Sequence, residues 1–138
     1  MNMSDKGLKL LMLREGFRLR SYKDTKGIWT IGVGHTGPEV VEGLVWTDAQ
    51  VLDALRKDIV ITEKCLNDTV VVLLGQDQID ALCSFVFNVG VGAFRRSTML
   101  RFINKGMMKE AAGEFDRWHI PPEITSRRNS EKSQFQGT

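Results

Sequence analysis

The stretch REGFRLRSYKDTKGIWTIGVGHTG, residues 14–37, decides the fold class, because it passes from a helical pattern to a hairpin pattern within a few residues. Apolar residues follow helical spacing up to Glu15, and Gly16 stands where a helix commonly ends. FRLRSY then alternates apolar and basic residues, KDTKG favours a turn, and IWTIGVG is rich in β-branched and aromatic residues. Residues 17–34 are therefore predicted to form a β-hairpin, and residues 40–45 are a candidate for a third short strand.

The sequence on either side of this hairpin is typical of helices. Ser4 is suited to cap a first helix, and Thr47 with Gln50 fits a capping box that opens a helix. Residues 77–90 carry apolar side chains at almost every helix position, which is typical of a buried helix. Short helical patterns separated by glycine and proline fill the rest of the chain.

These patterns predict one α+β domain over residues 1–138, since the chain is too short for two independent cores. We expect a small hairpin lobe over about residues 17–46 and a connecting helix over about residues 47–66. A larger helical lobe over about residues 67–138 would include the N-terminal helix.

Composition excludes several classes of protein. A hydrophobic content of 42% and a charged content of 26% are those of a globular protein, and no apolar run is long enough to span a membrane. The N-terminal apolar run is too charged for a signal peptide, so we expect a cytoplasmic protein. Cys65 and Cys83 are expected to be free thiols, because only His35 and His119 could join them as soft metal ligands.

Charge is segregated along the chain although the net charge is only +2. Residues 1–35 carry seven basic and three acidic side chains, residues 39–80 carry three and nine, and residues 93–138 carry nine and five. Basic flanks around an acidic middle would suit a polyanionic partner, and solvated helix faces explain the same pattern equally well.

Two carboxyl groups and a hydroxyl are candidates for chemistry. Glu15 would lie at the negative end of a helix dipole, which disfavours an ionised carboxylate by about 0.3–1 kcal/mol. Asp24 would lie in an exposed turn, and two nearby carboxyl groups in contrasting environments are typical of acid and base pairs in glycosidases. Thr30 would project its hydroxyl towards that turn. The alternatives are a surface glutamate, an ordinary turn aspartate and a core-facing strand threonine.

The spacing of Glu15, Asp24 and Thr30, with eight and then five residues between them, and the following GVGHTG resemble the phage-type lysozymes of glycoside hydrolase family 24. DALCSFVFNVGVGAFRRSTML and GEFDRW followed by SRRNSEK resemble later blocks of that family, in the family's order. The resemblance covers residues 4–135. It implies a lysozyme-like fold with a cleft between the lobes, and a muramidase that cleaves the β-1,4 bond between N-acetylmuramic acid and N-acetylglucosamine in peptidoglycan.

The resemblance also implies a role for each candidate. Glu15 matches the general acid, Asp24 the second carboxylate that activates or orients water, and Thr30 a residue that helps to hold that water. A lytic transglycosylase acting on the same bond is the nearest alternative, although it would need neither Asp24 nor Thr30. A peptidoglycan-binding module without catalysis is a further alternative.

Four residues are expected to bind substrate: Gly34, Phe87, Asn88 and Phe94. Gly34 would let a sugar approach the strand, or would only permit the twist of the hairpin. Phe87, Asn88 and Phe94 resemble positions that line the family's cleft, although both phenylalanines also suit the core and Asn88 also suits a helix cap. His35 is expected to be a structural histidine that is hydrogen-bonded or paired with an acid.

We expect a monomer that acts on peptidoglycan glycan strands without a cofactor or metal, without nucleic acid and without stable membrane insertion. Such an enzyme would wait in the cytoplasm of the host bacterium until released to the cell wall. One departure from the family is the short connection HIPPEIT, residues 119–125, stiffened by its prolines. It leaves open whether Arg117, Arg127 or Arg128 faces the catalytic glutamate, as an arginine of this region does in the family.

Overall fold

The structure, a computed structural model, describes residues 1–118 and 122–137. Within them the chain forms eight α-helices and one antiparallel pair of strands, so the predicted α+β fold is confirmed. The elements are α1 Asp5–Glu15, β1 Arg18–Lys23, β2 Trp29–Gly32, α2 Asp48–Asp58, α3 Val60–Thr69, α4 Gln76–Val89, α5 Val91–Arg95, α6 Thr98–Asn104, α7 Met108–Glu114 and α8 Thr125–Gln136. In this described part of the chain, no helix combines the length and the apolarity that crossing a membrane requires.

The chain divides into two compact units. The hairpin unit is Leu8–Val60, and the helical unit is Met1–Gly7 together with Ile61–Thr138. The hairpin unit is therefore larger than the predicted lobe of residues 17–46, because it includes most of α1 and all of α2.

Helix ends are placed by the residues that the sequence indicates. The Ser4 hydroxyl accepts a hydrogen bond from the Gly7 N–H at 3.0 Å, so Ser4 caps α1. Gly16 follows the last residue of α1 with a φ of +73°, a left-handed conformation that glycine adopts without a steric penalty. Thr47 and Gln50 form the predicted capping box at the start of α2, with bonds of 3.2 and 2.8 Å.

The predicted single connecting helix over residues 47–66 is wrong. α2 ends at Asp58, Ile59 caps it, and α3 begins at Val60 and continues to Thr69. Residues 59–62 are all β-branched, and such side chains lose rotamer freedom in a helix. The helix is interrupted at the first residue of this run, although the other three residues lie in α3 and the hydrophobic pattern continues.

The hairpin forms as predicted, with Tyr22 opposite Thr30 and Lys23 opposite Trp29. Towards the N-terminal end of β1, its pairing register with β2 is irregular. The proposed third strand near residues 40–45 is reduced to a single bridge between Arg20 and Val45.

The hairpin unit has its own apolar centre, because β2 packs against α2. Ile31 from β2, Val51 and Leu55 from α2, and Ile59 are each at most 1% exposed. Burial of such a side chain contributes about 1.5–3 kcal/mol, so this contact holds the hairpin on α2.

The helical unit is built on α4, which packs against α8. α4 is buried over Ile79–Val86, as its apolar sequence predicts. Phe85 contacts Phe115 edge-on, with ring centroids 5.3 Å apart, and Phe115 contacts Phe135 at 5.6 Å. The predicted last helix is α8, which begins at Thr125; of the HIPPEIT connection, residues 119–121 lie outside the described residues.

Cys65 and Cys83 are free thiols, as expected, and both are completely buried in the helical unit. Burial raises the pKa of each thiol, more strongly for Cys83, where the nearby carboxyl groups of Glu63 and Asp80 add to the effect.

A buried ionic network joins α8 to α4. Glu131 is 0% exposed and lies between two buried arginines of its own helix. Its Oε2 accepts from Arg127 Nε at 3.0 Å, and its Oε1 accepts from the guanidinium of Arg128. Arg127 also donates to the Ser84 carbonyl on α4 at 2.8 Å. The carboxylate therefore compensates two charges that would be costly to bury alone.

Replacing Glu131 with glutamine should lower the free energy of unfolding by about 3–5 kcal/mol, because both guanidinium groups lose their anionic partner. Denaturation with urea would measure the loss. Glu110→Gln, at an exposed position of α7, is the matched control and should change stability by no more than about 0.5 kcal/mol. Equal losses in the two variants would contradict this role for the network.

Candidate active site

Glu15, the first candidate, is the last residue of α1 and is partly exposed. The left-handed Gly16 turns the chain immediately afterwards towards β1, so the side chain stands where the helix stops. This is the helix-end position that the sequence predicts for it.

Asp24, the second candidate, organises the turn between β1 and β2. Its Oδ1 accepts hydrogen bonds from the backbone N–H groups of Lys26 at 2.8 Å and Ile28 at 2.9 Å. The backbone closes the same turn, since Asp24 N–H donates to the Ile28 carbonyl and Gly27 N–H to the Asp24 carbonyl, both at 2.9 Å. The carboxylate is therefore held in one orientation, and neither side-chain bond uses its second oxygen, Oδ2.

Thr30, the third candidate, lies on β2 and is 4% exposed. Its hydroxyl donates to the Ile28 carbonyl at 2.9 Å. The hydroxyl proton is thereby committed to the backbone, and the oxygen keeps its capacity to accept a hydrogen bond. Ile28 thus links the two candidates, because its N–H binds Asp24 and its carbonyl binds Thr30.

Gly34 lies in the tight turn after β2, where Ile31 and His35 exchange two backbone hydrogen bonds of 2.9 Å. Its φ is +61°, and a Cβ built on it would meet nothing within 4 Å. Backbone conformation, not crowding, therefore requires glycine here. The position is exposed, and its predicted contact with a sugar stays a prediction.

The other three predicted binding residues lie in the helical unit and differ in exposure. Phe87 is partly exposed and Asn88 is exposed, both at the C-terminal end of α4. Phe94 is 0% exposed, so its side chain belongs to the core and offers no surface to a ligand. The alternative that assigned Phe94 to the core is therefore the one that the structure supports.

The three arginines near the C-terminus divide between two ion-pair partners. Arg117 is exposed and pairs with the buried Glu114 at 2.8 Å, whereas Arg127 and Arg128 belong to the buried network of Glu131. Sequence reasoning missed this network, whose α4 members lie about forty residues before their partners.

His35 is a structural histidine that binds two acids, as expected. Its Nδ1 lies 2.9 Å from Asp58 Oδ2, and its Nε2 lies 2.7 Å from Glu39 Oε1. Partial burial alone would lower the pKa of His35, but the two hydrogen bonds and the two negative charges outweigh it, so the pKa is raised. Both ring nitrogens are occupied, which leaves His35 no free nitrogen for proton transfer.

An open pocket of about 310 Å³ adjoins this histidine in the hairpin unit. Trp46 lies against His35 with ring centroids 5.5 Å apart, and the remaining wall comes from Glu39 and from one side of α2. Its lining is His35, Glu39, Trp46, Gln50, Asp53, Ala54 and Lys57. The pocket includes none of the three candidate catalytic residues, so it is a separate surface feature.

The comparison with known proteins establishes the family. The sequence model described as Phage lysozyme matches residues 13–131, most of the chain. The chain therefore belongs to the phage lysozyme family. It is a lysozyme, an enzyme of peptidoglycan hydrolysis.

Individual relatives agree with this assignment. The chain is 40% identical to an endolysin of Acyrthosiphon pisum secondary endosymbiont phage 1, covering 99% of both chains. It is 40% identical over 104 residues to a SAR-endolysin of Bacteriophage PS119, covering 75% of this chain and 62% of that protein. A crystal structure of a mutant of P22 lysozyme superimposes with a TM-score of 0.94, at 38% identity and 99% coverage of both chains.

The His35 interactions predict a pH dependence of stability. Because the folded pKa is raised, the stabilisation is fully present below the unfolded value of about 6.5 and is lost as pH rises through the folded value. The free energy of unfolding, measured from pH 5 to 9, should fall with rising pH by more in the wild type than in His35→Asn. A constant difference between the two proteins across this range would contradict the prediction.

Proposed function

We propose that this lysozyme cleaves the β-1,4 bond between N-acetylmuramic acid and N-acetylglucosamine by hydrolysis with two carboxyl groups. In this mechanism Glu15 is the general acid, Asp24 is the carboxylate that activates water, and Thr30 helps to hold that water. The chain acts as a single catalytic domain on peptidoglycan glycan strands. The observation that carries the proposal is that Ile28 holds both side chains, its N–H binding the Asp24 carboxylate and its carbonyl binding the Thr30 hydroxyl.

Asp24 and Thr30 offer two acceptors to one water molecule. Asp24 Oδ1 is occupied by the turn, so Oδ2 is the oxygen that accepts a proton from water. The Thr30 hydroxyl donates to Ile28, so its oxygen accepts from the other O–H of the water. Two acceptors for the two protons direct the lone pair of the water towards the anomeric carbon of the sugar.

Glu15 supplies the complementary step from the end of α1. It donates its proton to the glycosidic oxygen as the bond to the anomeric carbon breaks, and the attacking water gives its proton to Asp24. The charge that develops on the sugar ring is stabilised by the Asp24 carboxylate. Atoms balance, because the anomeric carbon gains the hydroxyl group of the water and the glycosidic oxygen gains the proton of Glu15. The proton taken up by Asp24 then returns to Glu15 through solvent and restores both carboxyl groups.

Substrate binding is proposed for Gly34, Phe87 and Asn88, which present exposed or partly exposed surface. A partly exposed Phe87 offers an aromatic face to the apolar side of a sugar. Phe94 is left out of this set, because its side chain is 0% exposed.

Replacing Glu15 with glutamine should abolish cleavage and leave the fold intact, because the amide has the same shape and no acidic proton. Purified peptidoglycan digested in heavy-oxygen water, followed by mass spectrometry of the soluble fragments, is the measurement. Wild-type fragments should end in reducing N-acetylmuramic acid that carries the heavy oxygen, and the variant should release none. A variant that solubilises peptidoglycan at the wild-type rate would remove Glu15 from the mechanism.

The same fragments distinguish hydrolysis from the two alternative functions, a lytic transglycosylase and a binding module. Anhydro-muramic ends without heavy oxygen would identify a lytic transglycosylase, which uses no water. Binding of peptidoglycan without soluble fragments from either protein would identify a binding module.

Asp24→Asn separates the proposed catalytic role of the Asp24 carboxylate from its structural role in the turn. Asparagine keeps the Oδ1 acceptor of the turn, so the variant should unfold at nearly the wild-type denaturant concentration and lose at least about 100-fold in activity. Asp24→Ala, which also loses the turn bonds, should be inactive and less stable by about 1–2 kcal/mol. Retention of most activity by Asp24→Asn would show that the carboxylate charge is not required.

We also propose that the enzyme waits in the bacterial cytoplasm and reaches the cell wall only after release. Fractionation of producing cells before lysis tests this, with a cytoplasmic enzyme as the marker. Recovery of the protein in the envelope fraction before lysis would contradict it.

A further inference from the structure

One side of α2 lines the open pocket beside His35 and presents two charges of opposite sign. Asp53 and Lys57 lie one helical turn apart, and both are exposed. In the part of the chain that the structure describes, neither side chain makes a hydrogen bond or an ion pair. Both charges are therefore available to a ligand that enters the pocket.

The indole of Trp46 gives the same pocket an aromatic wall in a fixed position. The Trp46 N–H of the backbone donates to the Leu19 carbonyl at 2.7 Å. A Cβ built on Gly32 would lie 3.2 Å from the Trp46 ring, so glycine at this position lets the indole pack against β2. The His35 ring holds the indole from another side. Trp46 remains half-buried, so part of its surface faces the pocket.

Gln50 adds an oriented donor, and Ala54 leaves space. The Gln50 Oε1 accepts from the Thr47 N–H at 2.8 Å, which fixes the orientation of the amide. Its nitrogen, Nε2, has no hydrogen-bond partner among the described residues. The small side chain of Ala54 lies between the charged residues of α2, and the pocket of about 310 Å³ has room for the end of an amino-acid side chain.

The free charges of the pocket decide the class of ligand. Glu39 and His35 already bind each other at 2.7 Å, so the unused charges of the lining are one acid and one base. A simple anion would be repelled by Asp53, and a simple cation would be repelled by Lys57. A ligand that carries both charges a short distance apart is attracted by both residues. A zwitterionic amino-acid group is the smallest group of this kind.

We propose that this pocket binds the zwitterionic end of a diamino-acid residue in an uncross-linked stem peptide of peptidoglycan. Asp53 accepts from the ammonium group, and Lys57 and Gln50 donate to the carboxylate. The methylene chain of the ligand packs on Trp46. This inference rests on the proposed function, because that function brings peptidoglycan to the chain.

The chemistry of the stem peptide makes the pocket sensitive to cross-linking. A diaminopimelate residue carries an amino group and a carboxyl group on the same carbon at its free end. A cross-link converts that amino group into a neutral amide, which removes the positive charge that Asp53 attracts. The pocket therefore favours strands that are not cross-linked.

Calorimetric titration of the full wild-type chain tests the pocket with three soluble probes. They are the tripeptide L-Ala-γ-D-Glu-meso-diaminopimelate, the same tripeptide acetylated on its free ω-amino group, and free meso-diaminopimelate. We expect the unmodified tripeptide to bind about tenfold more tightly than the acetylated one, because acetylation removes a charge-assisted hydrogen bond. Equal affinity for the two tripeptides, or no binding of either, would overturn the inference. Tighter binding of free diaminopimelate than of the tripeptide would also overturn it, because the site would then serve a free amino acid.

Variants of α2 assign the preference to individual charges. Asp53→Asn should lose the preference for the unmodified tripeptide, and Lys57→Gln should bind both tripeptides about tenfold more weakly. Asp48→Asn, at an exposed position of α2 outside the pocket, is the matched control and should leave both affinities unchanged. Because all three positions are exposed, the unfolding midpoints should stay near that of the wild type. A full preference in Asp53→Asn would contradict the role of this carboxylate.

Failure of the proposed function is distinguishable from failure of this inference, because none of the probes contains a glycosidic bond. A wild-type chain that releases no peptidoglycan fragments but binds the unmodified tripeptide preferentially would refute the proposed function alone. A chain that cleaves peptidoglycan but does not distinguish the two tripeptides would refute this inference alone.

Discussion

The helical unit depends on the pairing of a buried carboxylate. Glu131 has no access to water, and its charge is tolerated because Arg127 and Arg128 donate to it from its own helix. The Ser84 hydroxyl also donates to it from α4. The arginines in turn reach α4 at Ser84 and Asn88, one helical turn apart. One acid thereby sets the rotation of α8 relative to α4 and fixes the end of α4. Apolar packing alone would tolerate small rotations that these directional bonds do not.

Local features of the fold were predictable from the sequence because they depend on neighbouring residues. Ser4, Thr47 and Gly16 act within one helical turn, and the hairpin needs only the alternation of its strands and a five-residue turn. The interruption at Ile59 cannot be predicted from hydrophobic period, because the period continues from α2 into α3. The predicted third strand does not form. Apolar residues near Val45 do not by themselves provide a row of hydrogen-bond partners on a neighbouring strand.

The candidate site, like the fold, has some features that are predictable from neighbouring residues and others that are not. Glu15, Asp24 and Thr30 lie within sixteen residues of sequence, and their spacing was sufficient to suggest a site. The contacts that orient side chains are long-range: His35 with Asp58 across 23 positions, and Asn88 with Arg128 across 40. No pattern within one sequence reports such pairs. Phe94 shows a different limit of the sequence. An aromatic residue that binds a ligand and one that fills a core have the same sequence pattern, and only burial distinguishes them.

Because both cysteines are buried, the reactivity of their thiols measures how often the helical unit unfolds. A thiol reacts as its thiolate, and burial raises the pKa of Cys83 and of Cys65, so a folded molecule presents almost no reactive sulfur at neutral pH. A thiol reagent would modify these positions only while the unit is transiently unfolded, and the rate of modification would measure how often that happens. The same property means that a cysteine introduced on the surface could be labelled selectively in the native protein without removing the two natural ones.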